Sequence, residues 1–442
     1  MALLTKLSPA VLVILAVLCA GPLAIAEDGA AKSRITFYKD VLPILQENCQ
    51  VCHRPIGMNA GGMIAPMSLM TYREVRPWAK AIARQVEART MPPWFATAEF
   101  HGVFSNERTL SDDEILTLID WVQTGAPRGK LQDAPREAAS VETETDGWSI
   151  GEPDLVISME RFFVEDDVVD LNINFKTVLT EEELPEDRWI QAIEYRAGSE
   201  CVHHICNTAI APDERDDLDF FERIGLGCIA PGSDARAMPA GYGTFLPKGA
   251  KIHWGMHYHK EAGPGTGMWD QSQMAFIFNK TPVEHQVKFN VISSGNRWEI
   301  PPRHANWQVG ASRIFKEDTT ILSYLPHMHF RGKAAEYRAF YPDGSDELLL
   351  RVPNYDYNWQ IIYLYKEPKL VPAGTRVEVS MWFDNSPEYA EINNLNSDRA
   401  VHYGGPTTDE MMNGWIGFTH TEPKDYTADM PRSDADNTPA SD

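Results

Sequence analysis

Cys49-Gln50-Val51-Cys52-His53 constrains this chain more than any other stretch. Two thiols three residues apart, with a histidine directly after the second, are the pattern for covalent attachment of a c-type haem. Each sulfur adds to one vinyl group of the porphyrin, and His53 then sits under the iron as proximal ligand. A zinc knuckle needs a second ligand pair nearby, and His101 is the only histidine or cysteine between Thr71 and Ser140. A redox dithiol belongs to a βαβ context, whereas the pattern around these cysteines is helical.

Residues 34–130 carry that pattern. Val41, Leu42 and Leu45 lead into the cysteines, and Trp78, Ile82, Ala83 and Val86 keep helical spacing. Ser111 to Glu114 reads as a capping box that opens a helix through Ile115, Leu118, Ile119 and Val122. Gly125 and Pro127 stop it. A small all-α cytochrome c domain is expected, and such a domain needs a second axial ligand. Met91, followed by Pro92-Pro93-Trp94, is the candidate, because proline disfavours helical backbone at the residue before it and stiffens the loop. Met58, Met63 and Met67, on a glycine-rich loop, compete with it.

The N-terminus accounts for where haem would be attached. Lys6, an apolar run from Pro9 to Leu23 and Ala24-Ile25-Ala26 read as a signal peptide over residues 1–26. No other segment approaches the ~20 apolar residues a membrane span needs. The expected location is the periplasm or the cell exterior. Forty Lys and Arg against 63 Asp and Glu leave a net charge of −23, which argues against nucleic acid or an anionic membrane as partner. In an oxidising compartment two of Cys201, Cys206 and Cys228 are expected to pair. Cys201 and Cys206 flank a short strand at odd separation and face opposite ways. Cys228 therefore takes one of them, and the sequence leaves open which.

Residues 131–149 read as a linker. Beyond them short strand-like runs recur between turn residues: Leu155-Val156-Ile157, Val287-Lys288-Phe289, Ile321-Leu322, Tyr337 to Phe340 and Val377 to Trp382. That texture predicts two all-β jelly-roll sandwiches, residues 150–285 and 286–420, followed by a disordered tail over 421–442.

The thirteen histidines are unevenly placed. His203 and His204 are adjacent. His253, His257 and His259 share one parity on a single strand, hence one face. His327-Met328-His329 sets two imidazoles side by side, and His402 and Met411 follow. Imidazole combined with thioether suits copper, especially Cu(I), better than zinc. A type 1 copper site needs a cysteine ligand, and none lies beyond Cys228.

Val202-His203-His204, Leu246-Pro247-Lys248-Gly249 leading to Met256-His257-Tyr258, His327-Met328-His329 and Thr408-Asp409-Glu410-Met411 occur in this order. Over residues 150–420 the chain thereby resembles the copper type II, ascorbate-dependent monooxygenases. These include the peptidylglycine α-hydroxylating and dopamine β-monooxygenases, and the likeness is to bacterial relatives with an N-terminal cytochrome c. The resemblance implies two copper ions in two jelly-roll domains facing a water-filled cleft. One copper would take His203, His204 and His257, with His253 or His259 as alternatives to His257. The other would take His327, His329 and Met411. In that family the methionine-ligated copper meets O2 and substrate, and the three-histidine copper stores the second electron. Here the fused haem is expected to relay electrons from an external donor, a periplasmic carrier or an ascorbate-like reductant.

Departures from the family pattern bear on the substrate. The arginine that grips the carboxylate in peptide-amidating relatives is Leu325, and a glutamine before the third histidine is Gly255. Asn413 is retained, and a tyrosine after it is Trp415. With Met412, these point to a small, more apolar organic substrate contacted by Asn413 and Trp415. The competing expectation is a periplasmic electron-transfer or copper-binding protein of the same fold without hydroxylase activity. A zinc hydrolase would need an open site with a general base, and no H-E-x-x-H occurs.

Overall fold

The computed structural model describes residues 34–54, 65, 67–135, 148–218, 222–230 and 235–422. The signal-peptide reading, Met58, Met63, the centre of the expected linker and nearly all of the expected tail lie outside them.

Among the described residues three α-helices precede the strands: α1 (Leu42–Asn48), α2 (Tyr72–Glu87) and α3 (Asp112–Gln123). The Ser111 box forms as the sequence predicts, with Ser111 accepting from the Glu114 N–H and Glu114 reaching back to the Ser111 N–H. A second box, Thr71 with Glu74, opens α2 in the same way. One side of α2 (Val75, Ala79, Ile82, Val86) packs with Leu45, Leu118 and Trp121 into a small core. Trp78 departs from the expected core face. It is 44% exposed and forms part of a cavity wall with the two cysteines.

The rest of the described chain is predominantly β, in two pairs of facing sheets. In the first pair, one sheet runs Asp170–Val178, Lys251–His259, Val202–Ile210, Ile224–Ile229, all antiparallel. The facing sheet contains Leu155–Ser158, Gln273–Phe278, Arg188–Arg196 and Tyr242–Leu246. Their inward side chains, among them Ile193, Ile205, Trp254, Met256 and Phe276, form one core. In the second pair, Lys288–Ser293, Asn413–His420, Thr319–His327 and Tyr363–Val371 face Trp307–Ile314, Arg376–Phe383, Gly332–Phe340 and Asp346–Val352. Tyr324, Tyr337, Val379 and Ile416 lie in the core between them. Each run read from sequence as strand-like falls within or overlaps one of these strands.

The segment after α2 packs onto the second sandwich. Phe100 and Phe104 belong to the second sandwich core, with Trp94 and Phe95 packed against it. The Lys366 N–H donates to Val103 and the Ser105 N–H to Leu364, so residues 103–105 cover the open edge of the Tyr363–Val371 strand. An uncovered edge exposes a row of unpaired backbone groups. Aromatic side chains available on one segment and an open strand edge on the other explain why the two do not separate.

Cys206 is bonded to Cys228, opposite each other on neighbouring strands, which resolves the alternative the sequence left open. Cys201 stays a buried thiol beside the Ser199 hydroxyl. Cys228, Leu325, Ile362 and Trp415 form a small apolar cluster bridging the two sandwiches. No helix among the described residues is long and apolar enough to cross a membrane.

Candidate metal and haem sites

On the Lys251–His259 strand, Ile252, Trp254, Met256 and Tyr258 point into the first core. His253, His257 and His259 therefore share the opposite face, as pleating requires. Two adjacent histidines on a regular strand would point to opposite faces. The partner strand escapes this through a register shift: Val202 pairs with Tyr258 but His204 with His257, leaving one extra residue at His203. Such a bulge re-aims a side chain. As a result His203, His204 and His257 offer nitrogens within 4.8 Å of one another. His204 Nδ1 lies 3.2 Å from His203 Nδ1 and 3.1 Å from His257 Nδ1.

Asp170 fixes which nitrogen His257 presents. The carboxylate can only accept, so His257 Nε2 carries the proton that it donates to Asp170 Oδ1 at 3.1 Å. Nδ1 is left with its lone pair aimed at the other two imidazoles. Tetrahedral ligation at about 2.0–2.1 Å places nitrogens roughly 3.3 Å apart, close to the spacing found here. Burial opposes ionisation of Asp170, but hydrogen bonds from His257 and Thr407 outweigh it and hold its pKa at about 2. Burial, then the neighbouring imidazoles, lowers His203 and His204 well below the ordinary histidine range. Neutral rings are the form that binds a metal. His259 is 3.9 Å from Asp170 and outside the trio, while His253 sits further along the strand. His402 is an exposed partner of Glu299.

His327 and His329 form the second set. Met328 between them points into the second core, which turns both imidazoles the other way. His327 Nδ1 donates to Gln360 Oε1 at 2.6 Å and His329 Nδ1 to the Asp409 carbonyl at 3.3 Å, so both rings keep Nε2 for a metal. Burial pulls their pKa values down to about 4 and about 3. Met411 is brought alongside by Glu410. One Glu410 oxygen accepts from the His329 N–H at 2.8 Å and the Met411 N–H at 3.3 Å, and the other from the Arg331 N–H at 2.6 Å. The fully buried Arg331 side chain ties Thr408, Asn385 and Asn396 to the same knot. Burial raises Glu410 to about 8 against the pull of these donors. Asn413 Nδ2 donates to Met411 Sδ at 3.4 Å.

The two sets are close neighbours. His204 and His327 rings are 5.5 Å apart, centre to centre. Tyr357 stacks on His203 at 4.4 Å and 10°, and Phe330 packs on Tyr357 at 4.4 Å. Trp415 stacks on Phe289 and is buried with Leu325, while Met412 is fully buried in the second core. Asn413 touches the methionine sulfur; Trp415 serves the packing between the sandwiches.

A cavity of about 410 Å³ adjoins the cysteine motif. Cys49, Cys52, His53, Met67, Trp78, Ile82, Val86, Met91 and Pro92 are in its wall. His53 Nδ1 donates to the Met67 carbonyl at 3.1 Å, leaving Nε2 for an iron. Burial lowers His53 and pushes Cys49 up to about 12, with the Cys52 and Glu114 charges adding to the latter. An apolar wall, two thiols and an oriented imidazole fit a covalently held haem.

Asp170, Gln360 and Tyr357 belong to no sequence motif, and Glu410 stands in one without its locking role being legible. One wall residue of the cysteine cavity, Trp359, comes from the second sandwich.

No protein-family model and no curated protein matches the chain. Solved structures that match include the VP2 subviral particle of infectious bursal disease virus (8% identity, 62% of this chain and 74% of that one, TM-score 0.20). Others are PNGF-II (9%, 60% and 66%, 0.25) and the major capsid protein P2 of bacteriophage PM2 (9%, 60% and 98%, 0.23). Likeness at these TM-scores carries no argument about fold or function.

Proposed function

We propose that this protein is an exported haem- and copper-dependent monooxygenase. It would hydroxylate a C–H bond of a small organic substrate with O2, using electrons relayed through a c-type haem. The observation that carries the reading is the convergence of three imidazole Nδ1 atoms beside a second His, His, Met set, with a haem-fitting cavity in the same compact unit.

Cys49 and Cys52 would hold the haem and His53 would ligate it. Met67 and Met91 are the methionines of the cavity wall among the described residues, and with the Met67 carbonyl bonded to His53, Met91 would be the second ligand. His203, His204 and His257 would hold one copper and His327, His329 and Met411 the other, within a jelly-roll pair. Copper in these sets would supply one-electron chemistry and a place for O2, with the weak thioether favouring Cu(I). The chain's own contribution is orientation. Asp170, Gln360 and the Asp409 carbonyl fix the ring tautomers, and Glu410 locks the methionine loop against His329. Tyr357, stacked on His203 and packed by Phe330, would hold that ring in place.

The packed rings and the 5.5 Å His204–His327 separation favour a second reading, an electron-transfer or copper-binding protein without hydroxylase activity. Isotopically labelled O2 separates the two. Copper- and haem-loaded protein, supplied with reductant and a panel of small apolar substrates, should put one labelled oxygen atom into a product. Full metal loading with no labelled product across the panel would favour the second reading.

A further inference from the structure

The loop between the strands Asp346–Val352 and Tyr363–Val371 reaches every site described above. The Tyr355 hydroxyl donates to the Met328 carbonyl at 2.7 Å and accepts from the Met328 N–H at 3.2 Å, holding the residue between the paired histidines. Tyr357 lies flat on His203. Trp359 stands in the wall of the cysteine cavity. Gln360, the next residue, is buried and accepts from His327. The loop is pinned at both ends. The Tyr355 N–H donates to the Lys333 carbonyl, and Asn106 donates to Ile362 and accepts from Leu364.

We propose that Trp359 and Gln360 are the electron bridge from the haem cavity to His327. Electrons would then enter at the His327–His329–Met411 set directly, without first visiting the three-histidine set. The inference rests on the haem–copper reading above and adds its route. Electron tunnelling weakens steeply with distance and is faster through bonds than across gaps. From the Trp359 indole the path to His327 is one peptide link, the Gln360 side chain and one hydrogen bond of 2.6 Å. On the other side, Tyr357 contacts His203 but is not among the described residues of the cavity wall. A route through it adds two residues and ends in a longer contact, 3.4 Å from the Tyr357 hydroxyl to His203 Nδ1.

Each transfer would move one electron, a haem iron in the cavity going from Fe(II) to Fe(III) as a copper held at His327 goes from Cu(II) to Cu(I). A soluble one-electron carrier protein restores Fe(II), and no covalent bond changes. Trp359 would thus touch a haem held in the cavity, and Gln360 is a positioning residue that acts through the His327 ring.

The test uses full-length haem- and copper-loaded protein under anaerobic conditions. A photochemical pulse reduces the haem, and its Soret band reports reoxidation while the Cu(II) resonance signal disappears. In the parent the reoxidation should be first order and independent of protein concentration. Trp359→Leu and Gln360→Leu, each loaded to the parent's haem and copper content before the pulse, should slow it by an order of magnitude or more. Two further readouts do not depend on turnover. Trp359→Leu should shift the haem spectrum of copper-free protein, and Gln360→Leu should alter the Cu(II) hyperfine pattern of the His327 set. Tyr357→Leu reports on the other entrance. If it slows reoxidation while Trp359→Leu and Gln360→Leu match the parent, the bridge is wrong but the haem–copper reading stands. If the parent itself shows no copper-dependent reoxidation, both fall.

Discussion

Asp170 illustrates how a residue far from any motif decides the chemistry of one. It holds the proton side of His257 and so turns Nδ1 toward His203 and His204. It also accepts from Thr407, which precedes the loop carrying Glu410 and Met411, and thereby links the two histidine sets. Carboxylates that orient a ligating histidine affect metal affinity about 10–100-fold. Asp170→Asn should weaken copper at the three-histidine set by that order, read by chelator competition, with secondary structure retained. Unchanged affinity would mean that the carboxylate is not an orienting partner. The histidine pairs were legible because adjacency and HxH spacing are local patterns. Asp170 was not, since it is one of 63 acidic residues and meets His257 only across a strand pairing. The bulge that lets His203 and His204 converge was hidden for the same reason: register is a property of two strands.

Elements are held by signals of both kinds. Ser111 caps α3 by accepting the Glu114 N–H, a contact written within four residues and therefore readable in advance. Replacing it with alanine should cost about 1 kcal/mol, seen as a lower thermal midpoint without loss of helix content. An unchanged midpoint would show that α3 depends on its packing alone. Asp154 works at longer range. It precedes the edge strand Leu155–Ser158 and accepts from the Phe278 N–H at 2.7 Å and from the Lys280 ammonium. Burial acts against its charge, but these donors win and its pKa is lowered. A folded-state value below the unfolded one (about 3.9) stabilises the fold fully above the unfolded value, and the gain is lost as pH falls through the folded value. Asp154→Asn should accordingly melt earlier than the parent at neutral pH, with the gap closing on acidification below about pH 4. A gap that persisted into acid would assign the effect to something other than this charge. The aromatic segment 94–106 was unreadable as part of a sandwich, because helical spacing on either side gives no hint that Phe100 and Phe104 insert elsewhere.

Across the whole molecule, the two sandwiches meet where the Cys206–Cys228 bond, Leu325, Ile362 and Trp415 pack together. A bond that closes a loop of this size restricts the unfolded chain by about 3 kcal/mol. Reduction should therefore lower the thermal midpoint and loosen the contact between the sandwiches, read by hydrogen exchange across the Ile224–Ile229 strand. Exchange unaffected by reductant would confine the bond to a local role. The same meeting ground lies next to the loop that joins the cysteine cavity to both histidine sets, so the proposed electron delivery would share a region with the packing of the sandwiches. The most direct test of that arrangement is the rate at which O2 reoxidises the haem in stopped flow, with and without copper. The account predicts two copper ions per haem and fast reoxidation only when copper is bound. Copper-loaded protein whose haem reoxidises no faster than the copper-free form would contradict it.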